Sequence, residues 1–542
     1  NFGYVMEYFN YNSDGFKSLD GGGNTGFDKS DYSGKFRVNT NKDAKVYQAL
    51  TFKIQYAEEV SNETYLGLTQ NDFDHNPYRR YISSSKDRMD TQHEQFQINH
   101  LIKPSNNIRI NTTAYLNKFS RNWYKLNDVT LSETVGISAI LANPQAYPDE
   151  YAAVIGTGNT AADAFSVKAN NRAYESKGIQ SVANFSFGNT VYQDLEIGLR
   201  YHEDSEDRFQ WADKYALLDG KMVQTTVGIP GTDANRISSA KALAAHALYK
   251  VTFNGLTITP GLRYENITLY NYDYGKSDPN RTGVSLNSRE NQVDVFIPGV
   301  GANYKFTQEI SVFGGVHKGF SPPGSQEGAK AEESLNIELG TRFNWKGIQG
   351  EVIGFYNNYS NMLGSDLAAS GGTGTLDQFN AGAALVKGLE LVLNYDILKN
   401  NANVSLPLAV TYTHNDAIFK SDFDSAVGIF GEVESGDEIP YIARNQFNLM
   451  AGIENQKLSF TISGRYTDAF RTHAGSGAIP EAYKVGSNFI MDASLRYFYK
   501  PGITVFTNVY NLLDTKYEVA RLPAGLRPGA PFMINAGMAF SF

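Results

Sequence analysis

The end of the chain alternates without a fault: Phe532, Ile534, Ala536, Met538, Phe540 and Phe542 fall on one side, Met533, Asn535, Gly537, Ala539 and Ser541 on the other. Side chains of a strand point to opposite faces in turn, so this segment has one apolar face and one face of small and polar groups. The pattern returns at Leu50-Phe52-Ile54-Tyr56, at Leu195-Ile197-Leu199-Tyr201, at Leu256-Ile258-Leu262-Tyr264 and at Leu458-Phe460-Ile462-Tyr466. No apolar run approaches the roughly 18 residues of a membrane helix, and the most helix-like apolar piece, Ala240 to Leu248, is far too short. Strands of this kind need no such run, because a β-barrel crosses a bilayer with alternating segments of about 9–11 residues. The composition agrees, with 13% aromatic residues and 50 glycines against 17 prolines in 542 residues. That suits one large β-architecture with glycine-rich turns better than several soluble domains joined by linkers. A net charge of −9 leaves no overall positive field for nucleic acid, and the absence of cysteine removes disulfides, thiolate metal sites and thiol nucleophiles.

Connections alternate in length. Short ones carry turn residues, as in Gly188-Asn189-Thr190, Phe253-Asn254-Gly255, Trp345-Lys346-Gly347 and Lys500-Pro501-Gly502. Long ones run roughly from Glu58 to Arg88, Arg121 to Ser176, Asp204 to Ala240, Ile267 to Glu290, Ser360 to Phe379 and Phe419 to Ile442. Short periplasmic turns and long extracellular loops are the outer-membrane barrel pattern, and about 20 strands fit between Phe2 and Phe542. Ser334 to Phe343 tests the register. One face carries Asn336, Glu338 and Arg342, the other Leu335, Ile337, Leu339 and Phe343. A lipid-facing Arg near the midplane costs about 2–4 kcal/mol, so the charged face must look into the lumen.

Several motifs together resemble the barrel of TonB-dependent outer-membrane receptors, and the resemblance covers the whole chain. They begin with His317-Lys318-Gly319-Phe320-Ser321-Pro322-Pro323, followed by Glu333-Ser334-Leu335-Asn336-Ile337-Glu338-Leu339-Gly340. Phe355-Tyr356-Asn357-Asn358-Tyr359, Gly388-Leu389-Glu390 and Asn508-Val509-Tyr510-Asn511-Leu512-Leu513-Asp514 come next, and Arg527-Pro528-Gly529-Ala530-Pro531 and the terminal Phe542 complete the set. Within the family, Asn76-Pro77-Tyr78-Arg79-Arg80-Tyr81 and the stretch from Arg200 to Trp211 look like the ferric-citrate receptor type. There are two departures: Phe532 stands where members commonly carry Arg, and the family's plug and energy-coupling box are absent from these residues. The resemblance implies a transmembrane antiparallel barrel of 22 strands in the outer membrane of a Gram-negative bacterium. Residues 1–542 would form the barrel domain, with the plug and two strands expected before Asn1, so that the Phe2 strand would not pair with the Phe542 strand. It also implies import of a ferric siderophore or ferric citrate, driven through the plug by the inner-membrane protein TonB.

Guanidinium groups above the lumen would suit such compact anions through charge-assisted, often bidentate hydrogen bonds to carboxylates. Arg79, Arg80, Arg208 and Arg444 are the candidates, with Trp211 and Tyr441, and also Tyr78 and Tyr81, as an aromatic surface beside them. The competing readings are loop ion pairs of Arg79 and Arg80 with Asp72 and Asp74, and aromatics that fold the loops onto one another. The acidic run His202-Glu203-Asp204 with Glu206 and Asp207 lacks calcium-loop spacing, and the eight histidines show no two-histidine spacing, so no intrinsic metal or cofactor is expected. Nothing orients His317 and Ser321 into a catalytic pair, so an enzyme is not expected. Tyr56, Tyr264, Tyr466, Tyr499 and Trp345 read as anchors at the membrane interfaces. Two other functions fit a barrel: a passive pore, and an outer-membrane scaffold for assembly or secretion machinery with a surface lipoprotein as partner.

Overall fold

The computed structural model describes residues 1–325, 327–364, 379–380, 382–398, 403–425 and 429–542. The long loop expected from Ser360 to Phe379 lies largely outside them.

Alternation builds one antiparallel sheet whose long strands follow chain order. It opens with β1 (Phe2–Ser13), β2 (Phe27–Asn39), β3 (Tyr47–Ser61), β4 (Arg88–Ser105) and β5 (Ile108–Thr130). It continues through β6 (Phe165–Phe187), β7 (Tyr192–Leu218), β8 (Ala234–Phe253), β9 (Leu256–Asp273) and β10 (Asn287–Lys305). Next come β11 (Ile310–Ser321), β12 (Glu332–Trp345), β13 (Ile348–Asn361), β14 (Ala384–Asp396) and β15 (Pro407–Phe419). The sheet ends with β16 (Asn445–Asn455), β17 (Leu458–Thr467), β18 (Asn488–Lys500), β19 (Ile503–Tyr510) and β20 (Met533–Phe540). The last is the strand with which the sequence reading began. Among the described residues β1 pairs only with β2 and β20 only with β19, so both keep an unpaired edge.

The short turns are tight because their residues allow it. Asn254 and Gly255 take φ of 47° and 80°, and Lys346 and Gly347 take 50° and 88°, the paired positive values that match a two-residue turn to the twist of its strands. Across the sheet the apolar rows point outward: Phe52 opposes Ile98, Tyr264 opposes Phe296, and Leu335, Ile337 and Leu339 are exposed along β12. The inner rows are wet. Asn99 donates to Asn111 at 3.0 Å and to Thr113 at 2.7 Å, Gln95 donates to Asn117 at 2.9 Å, and Arg342 pairs with Glu351. Amide ladders of this kind supply hydrogen bonds that a lipid-facing surface could not tolerate.

The four longest strands outgrow the membrane furthest. β7 has 27 residues, β5 and β6 have 23 each and β8 has 20. At about 3.3 Å per residue and a tilt near 45°, β7 rises about 63 Å, more than twice the roughly 25 Å apolar band. Much of what the sequence suggests is loop is therefore strand: the true connections here span only 131–164 and 219–233. The reason is that above the bilayer no lipid demands an apolar face, so these extensions lose the hydropathy alternation while keeping the backbone pairing. The acidic run from His202 to Asp207 lies in β7, so its members point alternately inward and outward and do not converge on a cation.

Candidate functional site

Extracellular loops fold inward over the lumen and meet in a vestibule. The loop from 62 to 87 carries α1 (Gln70–His75), and the loop from 131 to 164 carries α2 (Ile137–Ala142) and α3 (Pro148–Ile155). Thr69 caps α1 through its hydroxyl, which accepts the Asp72 N–H at 3.2 Å. Leu66 and Leu68 form bridges with Ala524 and Leu526 of the last loop, with N–H···O distances of 2.6 to 2.8 Å. Gly67 and Gly525 cross there, and a Cβ on Gly67 would lie 2.4 Å from the Gly525 carbonyl. Beneath this crossing Leu66, Ile82, Leu126, Ile140, Val154, Phe165, Leu217 and Leu526 share one apolar core. Loops are usually mobile, but a core of this kind pins these.

Charged groups ring that core. Tyr81 donates to Asp72 at 2.6 Å, Tyr151 also bonds Asp72, and Arg79 reaches it at 3.1 Å. Burial works against the Asp72 charge, but the bonds from Tyr151 and Tyr81 and the Arg79 guanidinium outweigh it and hold its carboxyl below the usual range. Asp87 is buried, accepting from Thr64 at 2.8 Å and from the Leu126 N–H at 2.8 Å. Burial nonetheless pushes its carboxyl up to about 6, against the Arg80 charge and these bonds. Burial also brings the Lys17 ammonium down to about 8, helped by the nearby Arg527 and Arg80 charges and opposed by Glu63.

The residues singled out from the sequence do not gather at one point. Arg79 forks onto Asp20 at 3.0 and 3.2 Å as well as Asp72, so loop carboxylates engage it. Of the two acids proposed as its loop partners, Asp72 is one and Asp20 replaces Asp74. Arg80 is buried and spends its donors on the Ser84 carbonyl at 2.6 Å, the Asp87 carbonyl at 3.2 Å, the Ser84 hydroxyl at 3.0 Å and the Asn62 carbonyl. Tyr81 belongs to the loop core, while Tyr78 sits edge-on to Phe16 at 5.9 Å. Tyr441 and Arg444 lie together on another loop. The Tyr441 hydroxyl accepts the Leu522 N–H at 3.2 Å, and Arg444 reaches Glu438 at 2.6 Å with its side chain 56% exposed. Glu438 also accepts Arg471 at 2.7 Å, and these groups with Phe470 line a recess of about 250 Å³.

Arg208 and Trp211 are strand residues three apart, and so face opposite ways. Trp211 shares the outward side of β7 with Tyr201, packed beneath the turn at Gly228, while Arg208 points inward. The register then shows a feature that sequence reading missed. Arg208 stands directly opposite Arg172 on β6 and Arg236 on β8, and Arg172 stands opposite Arg121 on β5. Four guanidinium groups thus form a rank on the inner wall, in register across four neighbouring strands about 4.8 Å apart. Glu206 answers it only in part, accepting Arg172 at 2.9 Å and the Tyr174 hydroxyl at 3.2 Å. Lys125 and Lys168 stand opposite each other two ranks higher on the same face, but Lys168 is paired with Asp233 at 2.5 Å and burial, with the Lys168 charge beside it, brings the Lys125 ammonium down to about 7.

An antiparallel sheet with a lipid-ready exterior, a polar lumen and loops folded over its mouth defines an outer-membrane barrel of the receptor type. Residues 3–512 match the family model described as TonB dependent receptor-like, beta-barrel, and the chain belongs to that family. No curated protein matches the sequence. Among solved structures, the unliganded ferric citrate transporter FecA aligns with a TM-score of 0.73 at 16% identity, over 99% of this chain and 73% of that one. The ferric-catecholate import receptor Fiu from E. coli K12, in its closed form, aligns at 0.74 and 14% identity, over 100% and 78%. The siderophore receptor PiuA from Acinetobacter baumannii aligns at 0.74 and 13% identity, over 99% and 77%. The protein resides in the outer membrane, and family members bind ferric siderophores and interact with TonB.

The family motifs have visible structural work. The Asn511 backbone N–H donates to the Asp492 carboxylate at 2.8 Å, and the Asn511 side-chain amide donates to the carbonyls of Thr515 and Ala530 at 2.9 Å each, shaping the last loop. Arg527 donates to the Tyr65 carbonyl at 2.8 Å, tying that loop to the one that carries α1.

Proposed function

We propose that the protein imports an anionic ferric chelate, ferric citrate or a carboxylate-bearing siderophore, across the outer membrane. The observation that carries this reading is the rank of Arg121, Arg172, Arg208 and Arg236 on the inner wall beneath the loops. A net-negative chain that nonetheless concentrates cations along one path attracts an anion where its field is focused. Guanidinium forks suit the planar carboxylates that such chelates present. Arg444, exposed at the rim, would meet the ligand first, and the inner rank would follow. A plug and two further strands that pair with the open edges of β1 and β20 would complete a 22-strand barrel, with TonB moving the plug.

Uptake of radiolabelled ferric citrate by iron-starved cells tests the reading. Deleting the gene, in a background without paralogous receptors, should abolish uptake, and Arg121→Gln with Arg236→Gln should cut it at least tenfold. Unchanged uptake of ferric citrate and of carboxylate siderophores after deletion would refute it. A large conductance from the full-length protein in planar bilayers, open at all times, would favour a passive pore instead.

A further inference from the structure

At the centre of the arginine rank the protein has buried more hydrogen-bond donors than it can satisfy. Arg208 is 0% exposed, and its Nε, Nη1 and Nη2 all lack a hydrogen-bond partner. In the same inner row Arg172 Nη2 is buried without a partner, and on that face one rank higher so is the indole Nε1 of Trp123. These five nitrogens are all donors. Among the described residues the unpartnered acceptors on this face are Gln210 Oε1, one rank above Arg208, and Asp128 Oδ1, three ranks above Arg121; the Gln210 amide nitrogen donates to Asn170 Oδ1. Asn170 also receives Arg172 Nε at 3.1 Å, so the amides of this wall are spent on one another.

A guanidinium does not lose its proton in a protein, so Arg208 carries its charge into this buried site. An isolated buried cation costs several kcal/mol, and in folded proteins such groups are paired or neutralised by a bound ion. Glu206 is a counter-charge shared by Arg172 and Arg208: its Oε1 accepts from Arg172 and Tyr174, and one carboxylate faces two buried guanidinium groups. A neutral water could accept from Arg208 but would leave that excess positive charge unanswered. We infer that the wall formed by Arg208, Arg172 and Trp123 is a binding site for a single oxyanion, of the carboxylate or phosphate class. Oxygen acceptors of such an ion satisfy the Arg208 fork and Arg172 Nη2 in the geometry that guanidinium groups favour, and the Trp123 N–H closes the site from above. The site is a property of the wall, and it stands whether or not a ferric chelate passes this way.

The ion has two sources of the same chemistry: a carboxylate arm of the imported ligand, or free inorganic phosphate held as a structural ion. Titration calorimetry separates them. The full-length protein, extracted from membranes and dialysed into phosphate-free zwitterionic buffer, is titrated with inorganic phosphate and, separately, with iron-free citrate. One saturable site is expected. Preference for citrate identifies the cargo's carboxylate, and preference for phosphate identifies the structural ion. Arg208→Gln should abolish the heat signal, and Trp123→Phe should weaken binding five- to tenfold. Gln210→Glu, which places a carboxylate beside Arg208 from within, should also abolish binding while the protein still migrates as a folded barrel. That variant keeps the test decisive if Arg208→Gln fails to fold. Absence of a saturable site for both anions in the parent protein, or binding undiminished in Gln210→Glu, would overturn the inference. Either result leaves the uptake experiment to stand or fall separately.

Discussion

Leu339 offers the most direct measurement of what this barrel spends on its lipid face. It lies on the outward side of β12, 65% exposed, six residues from Trp345 at the periplasmic end of the strand and four from Leu335. At about 2.3 Å of height per tilted residue, six residues place it about 14 Å above that Trp, close to the middle of the roughly 25 Å apolar band. Leu339→Arg puts a guanidinium there, with a cost of about 2–4 kcal/mol. Since about 1.4 kcal/mol is a factor of ten, the folding equilibrium should shift by about 30- to 700-fold. The neighbouring inward position supplies the control. Glu338→Arg faces the wet lumen opposite Gly315 and should cost less than about 1 kcal/mol. Guanidinium titrations of refolding into lipid vesicles, read by the shift in gel mobility of the folded barrel, measure both. Equal costs for the two variants, or a cost under about 1 kcal/mol for Leu339→Arg, would refute the assignment of inner and outer faces.

Gly67→Val places a side chain where a Cβ already lies 2.4 Å from the Gly525 carbonyl, so it should undock the α1 loop from the last loop. Limited proteolysis should then cut within 62–87 while the barrel itself stays folded. Asp87 predicts a pH effect in the same loop. Its carboxyl, near 3.9 when unfolded, sits at about 6 in the fold, so its favourable contribution is complete below about pH 4 and declines as pH rises through about 6, by about 3 kcal/mol at most. Amide exchange of 62–87, corrected for intrinsic rates, should accelerate from pH 4 to 7, and Asp87→Asn should flatten that profile. Glu438→Gln leaves buried Arg471 without its carboxylate and should loosen the loops holding Tyr441 and Arg444 by about 1–3 kcal/mol, seen as faster exchange in 438–444 and 470–485. Arg444→Ala, at an exposed rim position, should alter stability by less than about 1 kcal/mol yet weaken ferric chelate binding several-fold in a direct titration.

The lipid-crossing part of this protein was legible residue by residue. Phe532 to Phe542 and Ser334 to Phe343 state their faces outright, because hydrocarbon penalises every polar group on one side and water accepts every polar group on the other. The turns at Asn254-Gly255 and Lys346-Gly347 were equally plain, since few residues adopt paired positive φ. Above the bilayer that penalty vanishes, and with it the signal. The stretch from Asp204 to Trp211 reads as loop, although its odd and even positions already separate Arg208 from Trp211 once the strand is known to continue.

What the local pattern could not contain is the partnership between distant segments. Arg121, Arg172, Arg208 and Arg236 are spread over more than a hundred residues and become neighbours only through the pairing register of four strands. Arg79 found Asp20 and Asp72, and Arg80 found backbone carbonyls, because the loops folded to present them. The sequence by itself determined the barrel, its faces and its family, since each depends on the response of a short segment to lipid, water or its own backbone. Tertiary structure alone decided which charges are answered and which are left facing the lumen, because that depends on the meeting of segments far apart in the chain.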